Sequence, residues 1–105
     1  MHIGELEELV LLAIKSLGDD AYGVPVREAL GQAGRNVSVG TLYVTVERLE
    51  KKGLIESRMG EVTSERGGRA KKYLRLTGAG QNSWSAADSA RRQLSNFKQL
   101  ARGAA

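Results

Sequence analysis

The segment RNVSVGTLYVTVERLEKKGLIESRM, residues 35–59, changes its hydrophobic period part-way along. In its first part Leu42, Val46 and Leu49 share one side of a helical wheel, and Ser38 stands where an N-cap belongs. Thr41, Val44, Arg48 and Lys51 fall roughly opposite, on a face without large apolar side chains. The last turn is rich in lysine and Gly53 comes just after it, a common way for a helix to stop. Beyond Gly53 the spacing becomes that of a strand, LIESRM (54–59). One face of this helix packs, the other is free, and the chain leaves it directly into extended structure.

Downstream, GEVTSERGGRA (60–70) is a polar connection with a glycine pair, and KKYLRL (71–76) reads as a second strand. Lys72, Leu74 and Leu76 share one face of that strand, while Lys71, Tyr73 and Arg75 share the other. The two strands predict a half-buried hairpin with cations on its rim. From Arg58 to Arg75 there are six Lys or Arg against two acids, so the rim is basic rather than mixed. Gly67 and Gly68 permit a tight tip, and Arg66, Arg69, Lys71 and Lys72 supply charge of the kind that displaces counterions from phosphates.

Upstream, Leu6, Leu9, Val10, Ala13 and Leu17 recur at helical spacing and predict a first helix over Gly4–Leu17. Leu11, Leu12 and Ile14 widen its apolar stripe, which points to burial on more than one side. A short second helix lies within AYGVPVREALGQAG (21–34), with Pro25 in its first turn and Val26 and Leu30 as an i, i+4 pair. Tyr22 reads as core. After the hairpin, Thr77 caps a last helix from about Gly78 to Ala101, its glycines giving it a loose start. Ala87, Ala90, Leu94, Phe97 and Ala101 recur along it at 3,4,3,4 spacing, the pattern of a helix that packs along another helix, here a second copy of the chain.

The order helix, helix, helix, hairpin, long helix gives a mainly α fold with a small β-hairpin wing. It is a winged helix-turn-helix over residues 1–77, with a C-terminal dimerisation helix over 78–105. With 105 residues and 41% apolar content the chain suits one modest core that would gain from a partner. Net charge is +4, and its uneven spread points to a local basic surface facing a polyanion.

The stretches SVGTLYVTVERLEKKGLI, ERGGRAKKYLRLTGAG and GELEELVLLAIKSLGDDAYGVPVREAL together resemble the PadR family of bacterial transcriptional regulators. The resemblance covers residues 4 to about 80 and implies a winged-helix homodimer on a palindromic operator in double-stranded DNA, usually as a repressor. The single helix after the wing is similar to the compact branch of the family. By position, the resemblance assigns Ser38, Thr41, Tyr43, Val44 and Arg48 to the part of the third helix inserted into the groove, and Arg66, Arg69 and Lys71 to the wing tip. Lys51 joins them as a cation on the same outer face. Val44 departs from the polar or basic residue that members often carry there. A valine can meet a thymine methyl but cannot hydrogen-bond a base, which leaves the sequence read by this helix open. Tyr43 has a second reading, as a flank of the core supporting the second helix.

Trp84, the only tryptophan, lies early in the last helix. It reads as an apolar anchor of the dimer interface, or as one of two symmetry-related aromatics flanking a flat aromatic or hydrophobic effector. Serine and alanine at several seam positions suggest a weaker dimer or one enclosing a cavity.

Other classes fare worse. The sequence has no cysteine and its single histidine is His2, so thiolate chemistry is excluded and nucleophilic or metal-assisted catalysis lacks parts; no enzyme, metal or cofactor is expected. TGAGQNS after the second strand imitates a dinucleotide fingerprint, but Ser83 stands in the third glycine position and the remaining residues are too few for the returning strand. Acidic residues precede the first apolar run and no run reaches the roughly 18 apolar residues of a membrane span, so a cytoplasmic chain without a membrane partner is expected. The remaining rival is a winged-helix protein-docking module, which would favour exposed apolar or acidic groups on the third helix.

Overall fold

A computed structural model describes residues 3–60 and 71–97. The chain runs α1 (Glu5–Leu17), a 3₁₀ turn (Gly18–Asp20), α2 (Gly23–Gln32), α3 (Val39–Lys51), β1 (Ile55–Met59), β2 (Lys72–Leu76) and α4 (Gly78–Ser95). The mainly helical class and the single hairpin agree with the sequence reading.

The helices form where apolar spacing and end signals coincide. Val10, Leu11 and Ile14 of α1 are fully or almost fully buried and pack with Val26 of α2, Leu49 of α3 and Leu54, so α1 is the central element. Leu12 is the exception in that broad stripe, at 40% exposed. At the start of α1 the Gly4 N–H donates to Glu7 Oε1 (3.2 Å), while Lys52 Nζ lies 2.6 Å from Glu7 Oε2. One carboxylate thus ties the start of α1 to the end of α3.

The strands pair antiparallel with Ile55 opposite Leu76, Ser57 opposite Leu74 and Arg58 opposite Tyr73. The Gly60 N–H donates to the Lys71 carbonyl (2.7 Å) beyond the last pair. A further edge carries no sign in the sequence: the Leu74 N–H donates to the Ala21 carbonyl (2.7 Å), and Tyr22 forms an isolated antiparallel bridge with Tyr73. The two residues before α2 therefore extend the sheet. This placement makes Tyr22 half-buried rather than core.

The passage from wing to α4 is also tighter than expected. Thr77 caps α4 by accepting the Gly80 N–H (3.1 Å), donates its hydroxyl to the Gly53 carbonyl (2.6 Å), and donates its N–H to the Leu54 carbonyl (3.0 Å). Gly80 is buried, and a Cβ there would collide with the Leu54 carbonyl oxygen. The glycines do not loosen the helix start; Gly80 allows a backbone contact that no side chain would permit. At the other end α4 runs as far as Ser95, and the expected end near Ala101 falls outside the described residues. Asn96 turns out of the helix (φ −102°, ψ 6°), and helical conformation resumes at Phe97.

Gly80→Ala should destabilise the fold by roughly 3 kcal/mol, whereas Gly78→Ala, whose Cβ would meet nothing within 4 Å, should be neutral or better in thermal unfolding. Burial pushes the Glu7 carboxyl up, but the hydrogen bonds from Lys52 and Gly4 and the charges of Lys52 and Arg48 outweigh it and hold it below its ordinary value of 4.5. A carboxyl lowered by folding stabilises the protein above its unfolded pKa and loses that contribution as pH falls through the folded one. Glu7→Gln should therefore cost about 1–2 kcal/mol near neutrality, and the gap to wild type should close below pH 4.5 in denaturant melts.

Candidate nucleic-acid interface

The core sets the position of α3. Leu42, Thr45, Val46 and Leu49 face inward, and the Thr45 hydroxyl satisfies itself on the Thr41 carbonyl (2.8 Å). Ser38 caps the helix as expected, accepting the Thr41 N–H (3.1 Å) and donating to the Thr41 hydroxyl (2.9 Å). Arg27 Nε reaches back from α2 to the Val37 carbonyl (2.7 Å) and fixes the turn between the two helices. The outer face is left with Gly40, Thr41, Tyr43, Val44, Glu47, Arg48 and Lys51, all exposed.

The side chains of that face are not equivalent. Lys51 Nζ lies 3.4 Å from Glu47 Oε1, an exposed i, i+4 pair of small energetic value. Arg48 stands on the edge nearest α1, close enough to act on Glu7. Tyr43 is 56% exposed, and its hydroxyl lies 3.6 Å from where a Cβ at Gly23 would stand, at the start of α2. Sequence reasoning did not single out Glu47 and Gly40, although the same wheel contains them.

The wing divides its described cations into two sets. Lys72 Nζ pairs with Glu50 Oε1 of α3 (2.9 Å), and Arg75 pairs with Glu56 across the strands. These two hold the hairpin to itself and to α3. The other two sit on aromatic rings, Arg58 over Tyr73 (4.9 Å) and Lys71 over Tyr22 (4.5 Å), with the two rings edge to face at 5.5 Å. Lys71 also lies 3.5 Å from the Tyr22 hydroxyl. The ladder Arg58, Tyr73, Tyr22, Lys71 thus carries cations on a rigid base beside α2, and only Lys71 of the four was expected at the site. A cavity of about 390 Å³ separates this base from α3, lined by Tyr22, Val24, Tyr43, Val46, Lys71 and Leu74 among others. Arg66 and Arg69, expected at the wing tip, lie outside the described residues. Those residues contain no cluster of acids and histidines suited to a metal, and no helix among them is long and apolar enough to cross a membrane.

The last helix packs on α1 through Trp84 and Arg91. Lys15 Nζ stands 3.8 Å from the Trp84 ring centroid, and Arg91 Nε lies 2.9 Å from Glu8 Oε1. Lys15 therefore already holds one face of the indole. Of the seam residues, Ala87 is half-buried, Ala90 is exposed, and Leu94 and Phe97 are 76% and 67% exposed.

A family model described as the transcriptional regulator PadR-like family matches residues 10–86. The chain belongs to the PadR-like family of transcriptional regulators. The PadR match runs from within the first helix through the wing and into α4, and so includes α3 and both strands of the site. An uncharacterized protein of Lysinibacillus sphaericus is 35% identical over 81 residues, 74% of this chain and 70% of that one. Among solved structures, a PadR-like transcriptional regulator from Bacillus cereus is 26% identical with a TM-score of 0.72, covering 90% of this chain and 88% of that one. A PadR family transcriptional regulator from Eggerthella lenta is 27% identical with a TM-score of 0.65, covering 91% and 84%. A PadR family regulator from Clostridium difficile, at 22% identity and a TM-score of 0.76 over 92% of this chain and 97% of that one, shares the fold.

If the aromatic base presents Lys71, replacing Tyr22 should act on affinity through the ring. Tyr22→Leu should weaken binding to random duplex DNA about two- to fivefold, while Tyr22→Phe, which keeps the ring, should stay close to wild type in fluorescence anisotropy. Equal losses in both variants would assign the effect to the hydroxyl instead.

Proposed function

We propose that this PadR-family chain is a sequence-specific, DNA-binding transcription regulator that acts as a repressor, binding a palindromic operator as a homodimer. The observation that carries the reading is the outer face of α3 left open, with the aromatic-seated Lys71 of the wing across one cavity from Tyr43 and Val46 of α3. That arrangement suits a helix in the major groove with a basic wing on the flanking phosphates. Ser38, Thr41, Tyr43, Val44, Arg48 and Lys51 act from α3 in this reading, and Arg66, Arg69 and Lys71 from the wing.

Two α3 helices must reach successive major grooves about 34 Å apart on one side of the duplex, which requires two copies. The exposed Leu94 and Phe97 support that assembly, since apolar side chains gain by being covered by a second copy. Ala87, Ala90 and Ala101 complete the seam. Release by a small aromatic or hydrophobic effector at Trp84, whose ring Lys15 already contacts, belongs to the same proposal. The effector would act by favouring one spacing of the two α3 helices over another.

A docking module has one observation in its favour: Val24, Val39, Tyr43 and Val44 are exposed on or beside α3. Anisotropy of duplex DNA across a salt series, with random competitor, separates the two. Lys71→Ala should lower the slope of log K against log salt by about one per protomer for all sequences, while Arg48→Ala should also relax sequence preference. Phe97→Asp should halve the mass in light scattering by placing an uncompensated charge in the seam. No DNA binding at low salt would instead favour docking.

A further inference from the structure

We infer that α3 reads the C5-methyl group of thymine, with Val44 as the specificity-determining residue that makes the contact. The inference rests on the DNA-binding reading above and deepens it.

The middle of the outer face is where a helix goes deepest into a groove, and here it is poor in hydrogen-bonding groups. Gly40, one turn before Val44, has no side chain, and a Cβ there would meet only the Ser38 hydroxyl at 4.0 Å. Val44 is 48% exposed and offers two methyl groups. One turn further, Lys51 and Glu47 turn toward each other at 3.4 Å, which leaves that part nearly neutral. The Thr41 hydroxyl already accepts from Ser38, and Arg48 stands at the edge toward α1.

The cations sit around the middle of this face. Lys71 lies on the wing side, across a cavity from Tyr43 and Val46, and Arg48 lies on the α1 side. A polyanion with an apolar feature at its centre fits that pattern, whereas an apolar protein groove would leave the flanking charges without partners. The major groove of DNA offers one apolar group per A·T base pair, the thymine methyl. A valine set against a G·C edge would cover donors and acceptors without satisfying them, which is unfavourable. Against a thymine methyl it removes apolar surface from water on both sides. Val44 therefore selects thymine both by gain and by exclusion.

The test uses the full chain and duplexes it selects from a randomised pool. Each thymine of a selected operator is replaced in turn by deoxyuridine, which deletes the methyl and keeps every hydrogen-bonding group. Wild type should lose about fourfold at one or two thymines per half-site. Val44→Ala, which suits a helix and exposes no new polar group, should bind the thymine duplex more weakly and show no further loss with uracil at those positions. A flat uracil scan in wild type, or a Val44→Ala chain that stays sensitive at the same positions, overturns this inference alone. A pool that enriches no sequence overturns the operator-binding reading and this inference with it.

Discussion

The backbone knot at Gly53, Leu54, Thr77 and Gly80 decides where every functional element points. Gly53 takes φ +73°, a region open to glycine at little cost, and so turns the chain out of α3 and into β1 within two residues. Leu54 then buries its side chain and gives its carbonyl to the Thr77 N–H, and Thr77 in turn caps α4 and holds the Gly53 carbonyl. The end of α3, both ends of the hairpin's closed side and the start of α4 are thereby joined by short, directional bonds. Gly80 completes the joint by letting two backbones touch. Since α4 leaves from the same point at which α3 ends, a change in how α4 is held has a short, stiff route to the outer face of α3. Any control exerted through the last helix would use that route.

Charge is divided between holding the fold and facing outward. Glu7 with Lys52, Glu50 with Lys72, Glu56 with Arg75 and Glu8 with Arg91 join separate elements, and the more buried of these carboxylates lie in α1 and α3. The pair at Glu50 matters to the site, because it locks the base of the wing to the last turn of α3 and so sets the angle between them. The set left to face a partner is smaller than the net composition suggests, and two of its members are seated on tyrosines. A cation resting on a ring has lost part of its rotamer freedom before any phosphate arrives, which lowers the entropy cost of binding.

Much of this was legible in sequence because the signals are local. Ser38, Gly53 and Thr77 act within a turn of their own positions, and the wheel of α3 assigned Leu42, Val46 and Leu49 to the core as the structure has them. The features that escaped depend on residues distant in the chain. Tyr22 looked like core because a tyrosine after an acidic turn carries no sign of a strand some fifty residues later that will pair with it. Gly80 looked like a loose start because its need for close approach comes from Leu54. The 3,4,3,4 spacing of the last helix carried no sign of the turn that Asn96 introduces between Leu94 and Phe97. Within the site, the wheel could place Arg48 on the outer side but not say that α1 lies along that edge.

The same non-local placement separates affinity from specificity on this surface. In the proposed complex Lys71 and Arg58, seated on tyrosines of the hairpin base, would act by charge on any phosphate backbone. In that complex the central strip of α3 would add little net attraction, because Gly40 and Val44 are uncharged and the charges of Glu47 and Lys51 offset each other. Such a helix gains little at a wrong sequence and loses hydration there, so its discrimination comes as much from refusal as from attraction. A charged residue at position 44 would raise affinity for every sequence at once and blur the difference between them; a valine keeps the centre of the contact silent until an apolar partner meets it.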